Sequence, residues 1–576
     1  MTMGSAETAE RADEPLPDRR TGAGAARGEQ VAVGLLVALC AALLIGYSVL
    51  APTYRAPDEL MHVDMALAVS RGEAWPWPDP DGRRLNEQIL RSLEDANFAD
   101  PTNLMEGAPS AFRASEALPR DERPSVAEIA PPNPTDLRNQ MPQHPPAYYL
   151  LGGGMLTALG AEAWSFDRMI GALRLLSIAL VAPLPLYAYL TARRLTGDGP
   201  TALGAAALAL AVPQLLHIGS VVNNDALLIS LFGVITVLIA RVLTDDDGWW
   251  TAMGLGLVSG LALLTKGFAL AVYGWIFLAY AAAAIRARER AQTVLAGAAA
   301  LALAAATGGW WWLRNLVRYG DVQPTTASRP PARPEFTPDL GAYADHFWRF
   351  MNQRFWGSFG WVQVPLDWWI VWTATSVLLT GMALAFLLTR SRARASRMHL
   401  AVLLLPVPAI IAIVLSGSLR VYIDHGSFAG VQGRYLFPAA VGLAAVASTG
   451  YAALLGRNRR WLPLLLLLAA GAAQVAGTSA LLHGFWMAPA GQGPADAVAA
   501  VLSWSPWPAA VVVSAAITAL VAGIAVGAYF LTLPWRSDRP AGEAGWARAR
   551  VASSPDPHAD NEDGAPRVGS ERASVE

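Results

Sequence analysis

Apolar residues gather in long uninterrupted runs along most of the chain. These runs fall at about 31–51, 172–194, 199–218, 226–243, 249–264, 268–285, 291–313, 367–389, 398–417, 435–455, 461–481 and 507–531. A run of roughly twenty such residues is long enough to cross the hydrocarbon of a bilayer as a helix. No water is available there for exposed backbone amides, so the runs predict helices rather than open strands. The pattern therefore predicts an all-α integral membrane protein with about twelve spans. A further apolar stretch, 146–160 ("PAYYLLGGGMLTALG"), is short and glycine-rich. It predicts an interfacial or re-entrant juxtamembrane helix rather than a span.

Polar segments frame this region. Residues 1–30 and 534–576 carry few apolar residues and predict disordered tails around a membrane domain at 31–533. The first run starts too late and continues too long for a signal peptide, so it reads as an uncleaved span. Basic residues cluster in four short loops: Arg193 and Arg194; Arg286, Arg288 and Arg290; Arg390, Arg392, Arg394 and Arg397; and Arg457, Arg459 and Arg460. Such clusters favour the cytoplasmic side. All four fall there if the N-terminus is inside and 146–160 does not cross; if 146–160 crosses, all four fall outside. The first arrangement puts both termini in the cytoplasm. It leaves two long outer loops, 52–171 and 314–366, and shorter ones at 418–434 and 482–506. The first loop has room for short helices near 57–70 and 85–97. Long loops of this kind are often functional.

Composition sharpens the picture only slightly. The 576 residues are 54% hydrophobic and 15% charged, outside the range of ordinary soluble domains. A net charge of -2 gives no basic footprint for nucleic acid. Cys40 is the only cysteine, which excludes an internal disulfide and a thiolate metal cluster.

Candidate chemistry concentrates at the outer ends of the spans. Asp58, Glu59 and His62 follow the first run in "YRAPDELMHVD", and His144 and Tyr148 lie in "MPQHPPAYY". Asn224 and Asp225 lie in "GSVVNNDALL" and Lys266 in "LLTKG". Arg314 and Arg318 follow three tryptophans in "WWWLRNLVRYG", and Arg434 and Tyr435 open "GRYLFP". Ionisable groups near the hydrocarbon are costly and often mark a site. Each also has a plainer reading. Asp58 and Glu59 suit the first turn of a helix after Pro57, and Asp225 suits a helix cap. Lys266 and Arg434 suit snorkelling to head groups, and Trp310 to Trp312 suit an interfacial belt. The run "FWRFMNQRFWGSFGW" at 347–361, with Trp356 and Trp361, suits either a membrane surface or a lipid or sugar site.

Four motifs, "APDELMH", "HPPAYY", "NNDALL" and "GRYLFP", occur in this order with a common sidedness. With "LLTKG", they resemble the GT-C superfamily of polytopic membrane glycosyltransferases over roughly residues 31–480. The likeness is to an uncharacterised bacterial branch of predicted membrane proteins, related to protein O-mannosyltransferases and lipid A aminoarabinose transferases. The resemblance implies a GT-C-like bundle and transfer of a sugar from a polyprenyl-phosphate donor in the outer leaflet to an acceptor hydroxyl, usually with inversion. It implies that Asp58, with Glu59 as alternative, is the general base or a metal ligand, and that Asp225 is the second-loop acid. His144 stands where relatives often carry lysine, which departs from the family pattern.

The chemistry matches these residue types. A carboxylate can take the acceptor proton. Lys266, Arg314 and Arg434 can stabilise a leaving phosphate, and aromatic faces can stack on a sugar ring. Asp58, Glu59, His62, His144 and Asp225 offer ligands for a divalent ion, yet their spacing matches no dedicated metal motif, and metal-independent transfer is expected. An acceptor in cell-envelope glycan or glycolipid of a bacterial cytoplasmic membrane is expected. A transporter or flippase for lipid-linked sugars is the first alternative; it would show repeats and broken helices near the midplane, whereas the polar groups here sit at one face. A non-catalytic envelope assembly factor is the second, and it would tolerate loss of Asp58.

Overall fold

The computed structural model describes residues 19–73, 75, 82–96, 118–324, 333, 335–389, 396–487, 491 and 493–533. The tail expected at 534–576, residues 1–18 of the other tail, and Arg390, Arg392 and Arg394 lie outside these residues. Helix Arg19–Leu50 starts inside the stretch expected to be tail, and its part long and apolar enough to span is Arg27–Leu50.

Helices dominate, as the apolar runs predict. Among the described residues, nine helical runs are long and apolar enough to cross a membrane. They become ten if the bent pair Gly199–Leu208 and Pro213–Gly219, angled by 68°, counts as one span. The count differs from twelve for geometric reasons. Helix Trp249–Leu263 has only 15 residues, about 22 Å of rise. The run Gly433–Met487 contains two helices, Ala440–Leu455 and Leu462–Leu481, around a turn beginning at Gly456 with φ +52°. Both pack on the ten-residue helix Gly199–Leu208, so they lie side by side rather than end to end. Segment 146–160 forms helix Ala147–Leu159, whose 13 residues rise only about 20 Å.

Small residues let the helices close. Gly450 faces helix Trp368–Leu388 so tightly that a Cβ would meet the Gly381 carbonyl oxygen, the close packing that small residues give between membrane helices.

Polar contacts collect at the two ends of the first span, Arg27–Leu50. At its start, Glu29 pairs with Arg193 at 3.0 Å and accepts from the Tyr189 hydroxyl at 2.6 Å. Arg459 pairs with Asp198 at 3.0 Å. The basic loops that read as cytoplasmic thus gather here. At its other end, Arg174 donates to the Ser48 and Ala51 carbonyls, each at 2.7 Å. Some twenty residues separate these ends, roughly 30 Å of helix and the thickness of a bilayer core.

The first long loop folds against the second end. Helices Glu59–Ser70 and Glu87–Asp95 form near the predicted positions. A two-stranded antiparallel sheet joins Arg84–Asn86 to Pro134–Arg138. Asp64 organises this loop, accepting from Arg83 Nε (2.6 Å), Asn139 Nδ2 (2.8 Å) and the Asn86 amide (3.1 Å). Arg120 donates to the carbonyls of Leu502 and Ser505 at the end of helix Pro494–Trp504, and Arg123 donates to Trp504. These guanidinium groups cap carbonyls that a helix C-terminus leaves unpaired.

Glu59 and Arg174 form the central tie. The Glu59 carboxylate is fully buried and accepts four hydrogen bonds: two at 2.7 Å from Arg174, one from the Tyr54 amide (2.9 Å) and one from the Val222 amide (3.1 Å). The first span, the first loop, helix Phe166–Val181 and the loop before Asp225 meet at this carboxylate. Removing one charge strands the other out of water. Arg174→Met is therefore expected to lower stability by about 3–5 kcal/mol, read from denaturant unfolding of the purified protein in micelles. A loss below about 1 kcal/mol would mean that the pair is not the tie described.

Candidate active site

Asp58 lies one residue before Glu59 in a left-handed conformation, φ 61°. Tyr54, four residues earlier, has φ 64°. Non-glycine residues seldom adopt this region, and the surrounding bonds must hold them there. Glu59 does so from one side through the Tyr54 amide. Trp361 does so from the other, its indole N–H donating to the Tyr54 carbonyl at 3.2 Å. The tight turn aims Asp58 away from Glu59.

Asp58 accepts from Arg434 Nη2 at 3.0 Å and from Gln140 Nε2 at 3.1 Å. Its side chain is 18% exposed against 7% for Arg434. Arg434 is placed by Gly433, where a Cβ would run into the Met351 carbonyl and the Phe355 amide of helix Leu340–Trp356. Arg354 of that helix donates to the Val431 carbonyl.

A second ion pair stands nearby. Lys266 Nζ donates to Asp225 Oδ1 at 2.6 Å, and both side chains are buried. Lys266 occupies an extended break after helix Trp249–Leu263. Two contacts fix that break: the Ala147 amide donates to Leu264 (3.0 Å) and Asn224 Nδ2 to Thr265 (3.3 Å). The ammonium lies 5.3 Å from the Tyr435 ring, and Tyr435 packs on Phe268 at 4.6 Å.

His62 and His144 complete the group. His62 Nδ1 shares a 2.8 Å hydrogen bond with the Tyr149 hydroxyl, and the two rings stack at 5.8 Å. Burial pushes both imidazoles well below the ordinary histidine range. The Lys266 charge acts on both in the same direction, and Asp225 opposes it. His144 therefore enters the site as a neutral ring, not as a substitute cation. Several buried polar atoms here have no hydrogen-bond partner: Arg434 Nε, Asp225 Oδ2, Asn224 Oδ1 and His144 Nδ1. Unpaired buried atoms are expensive, and their convergence marks a place built for a polar ligand.

The structure thus brings Asp58, Asp225, Lys266, Arg434, Tyr435, His62, His144 and Asn224 to one end of the bundle. The other candidates make contacts of their own, and the Tyr148 ring also lies 6.5 Å from His62. Glu59 has four hydrogen bonds filled by Arg174, Tyr54 and Val222. The buried Tyr148 hydroxyl bonds to Ser177 at 2.9 Å. Trp356 donates to Thr375 at 2.8 Å. Arg314 lies 5.9 Å from the Tyr319 ring of its own helix. Among the described residues, no three His, Cys, Asp or Glu side chains converge as metal ligands. Asp58 and Asp225 already face cations, so these side chains do not fit a divalent ion as they stand.

Sequence reasoning missed Arg174, Gln140 and Tyr149. Arg174 carried a usable signal, a lone charge inside the apolar "GALRLLSIAL". Gln140 and Tyr149 carried none, since loop glutamines and tyrosines are common.

The family model described as predicted membrane protein (DUF2142) matches residues 41–443. The chain belongs to this family. It is a multi-pass membrane protein by both its family and its helices. No curated protein matches it. Similar solved structures include the following two. ArnT from Cupriavidus metallidurans bound to undecaprenyl phosphate has a TM-score of 0.41 and 14% identity, over 91% of this chain and 81% of that one. The Archaeoglobus fulgidus oligosaccharyltransferase complex with zinc and sulfate has a TM-score of 0.41 and 12% identity, over 77% and 53%. At these scores neither likeness carries an argument about this chain.

The neutral histidines make stability depend on pH. Below about pH 6.5 the unfolded chain takes up protons that the buried imidazoles refuse, so acid favours unfolding. His62→Gln, which can still bond to Tyr149, is expected to shallow the fall in melting temperature between about pH 6.5 and 5. An unchanged profile would mean that His62 titrates normally in the folded protein.

Proposed function

We propose that the protein is a glycosyltransferase that moves a sugar from a polyprenyl-phosphate donor to an acceptor hydroxyl at the outer face of a bacterial cytoplasmic membrane. One observation carries this reading. Two buried cations, Lys266 and Arg434, converge with Asp58 and Asp225 at one end of the bundle, beside polar atoms that lack partners. This is the equipment for an anionic leaving group and a proton acceptor in one place. The basic loops at the opposite end support a cytoplasmic position for that end and an outer position for the site.

The geometry suggests an exchange of partners. The donor phosphate binds between Lys266 and Arg434, and guanidinium suits phosphate oxygens because it presents parallel N–H donors. Arg434 turns from Asp58 to the phosphate, which frees the carboxylate. The acceptor oxygen attacks the anomeric carbon as the bond from that carbon to the phosphate oxygen breaks. The electron pair leaves on the phosphate, where the cations stabilise it. The acceptor proton passes to Asp58. Gln140 keeps the carboxylate oriented, and Asp225 keeps Lys266 in place. No step is assigned to a metal. An acceptor in envelope glycan or glycolipid belongs to the same proposal.

Purified protein in lipid is to be given labelled polyprenyl-phosphate sugars, and sugar release or transfer measured. Asp58→Asn keeps size and removes the base, and turnover should fall by about 10²–10⁴-fold. Arg434→Lys should raise the donor KM, since an ammonium cannot grip two oxygens in parallel. Full activity in Asp58→Asn would overturn the assignment of the base. Passage of the donor across the bilayer without turnover would overturn the transferase reading in favour of a transporter.

A further inference from the structure

Helix Leu340–Trp356 does more than hold Gly433. Ala344, Trp348, Met351 and Phe355 recur at intervals of four, three and four, so they share one helix face. The Met351 and Phe355 end of that face presses on Gly433, next to Arg434. The Ala344 and Trp348 end lines a wide, shallow groove of about 550 Å³ that Trp368 and Trp372 border on the other side. Six residues separate Arg349 from Phe355, roughly 9 Å along the axis. The groove therefore lies within two turns of the contact that places the active-site arginine.

Its lining is mixed in a specific way. Trp348 is 55% exposed and Trp372 50%, so both present ring faces to the groove's surroundings. Asp345 and Arg349 stand between them, paired at 3.4 Å and both largely exposed. The Arg349 guanidinium lies 5.1 Å from the Trp368 ring. The support behind the groove is rigid. Tyr343 bonds to Ser418 at 2.6 Å, Phe347 is fully buried, and Phe350 packs edge-on against Trp368 at 6.3 Å. An interfacial belt needs the tryptophans alone. An acyl chain would leave Asp345 and Arg349 without purpose.

We propose that this groove binds a saccharide portion of the acceptor. The apolar C–H face of a sugar ring would stack on Trp348 or Trp372, while Asp345 accepts from ring hydroxyls and Arg349 donates to them. This deepens the transferase reading and rests on it for the word acceptor: the groove lies on the helix whose other end packs against Gly433, next to Arg434.

The test is binding of maltotriose, cellotriose and mannotriose to the protein in lipid nanodiscs, followed by calorimetry and by saturation transfer. At least one should bind, and Trp348→Ala and Asp345→Asn should each weaken it about tenfold. Trp250→Ala, at a 91% exposed tryptophan of helix Trp249–Leu263, should leave it unchanged. No binding of any trisaccharide overturns the inference, as does binding that Trp348→Ala and Asp345→Asn leave intact. Efficient quenching of Trp348 fluorescence by brominated lipid, in a variant that isolates its signal, would identify the occupant as lipid and overturn it too. Failure of the transferase reading would show separately, as the absence of donor hydrolysis in the wild type.

Discussion

Glu59 and Arg174 are two charges taken out of water and made to satisfy each other. Taking them out is costly, and the cost is offset only when every lone pair and N–H is used. Here they are: the carboxylate accepts four hydrogen bonds, and the guanidinium also closes backbone carbonyls at the end of the first span. The consequence is geometric. Four segments distant in sequence are fixed to one point at one end of the bundle. The left-handed turns at Tyr54 and Asp58 are held because this point and the Trp361 indole leave them no other conformation.

The site depends on that anchor for its contrast. Adjacent acids in "PDE" receive opposite environments. Glu59 is buried and saturated, while Asp58 retains some access to solvent and faces a cation with an unpaired Nε. One acid builds the wall and the other is left able to exchange partners. The second pair, Asp225 and Lys266, repeats the arrangement a short way off, with one carboxylate oxygen unpaired. The two ion pairs act electrostatically on His62 and His144, whose imidazoles burial pushes well below the ordinary histidine range. Helix Leu340–Trp356 links this pairing to the groove at its other end, since Gly433 allows its backbone to approach closely.

Much was legible before the fold was known. Length and apolarity of runs predict helices because a bilayer leaves the backbone no alternative. The basic loops predict a common end, and Arg193 and Arg459 are found near Glu29 and Asp198 at the start of the first span. The short glycine-rich segment at 146–160 forms a helix of 13 residues, too short to span unaided. The span count was less legible. The 68° bend after Leu208 and the reversal at Gly456 are made by packing, and apolar composition does not record them.

The sequence by itself determined the membrane architecture and the residue types gathered at one level, because hydrophobic length and charge placement act locally along the chain. It could not divide the environments of Asp58 and Glu59, or find Arg174, Gln140 and Tyr149. Those distinctions depend on which group fills which lone pair. That is decided only when segments tens to hundreds of residues apart, such as Asp58 and Arg434 or Glu59 and Arg174, are brought within 3 Å of each other.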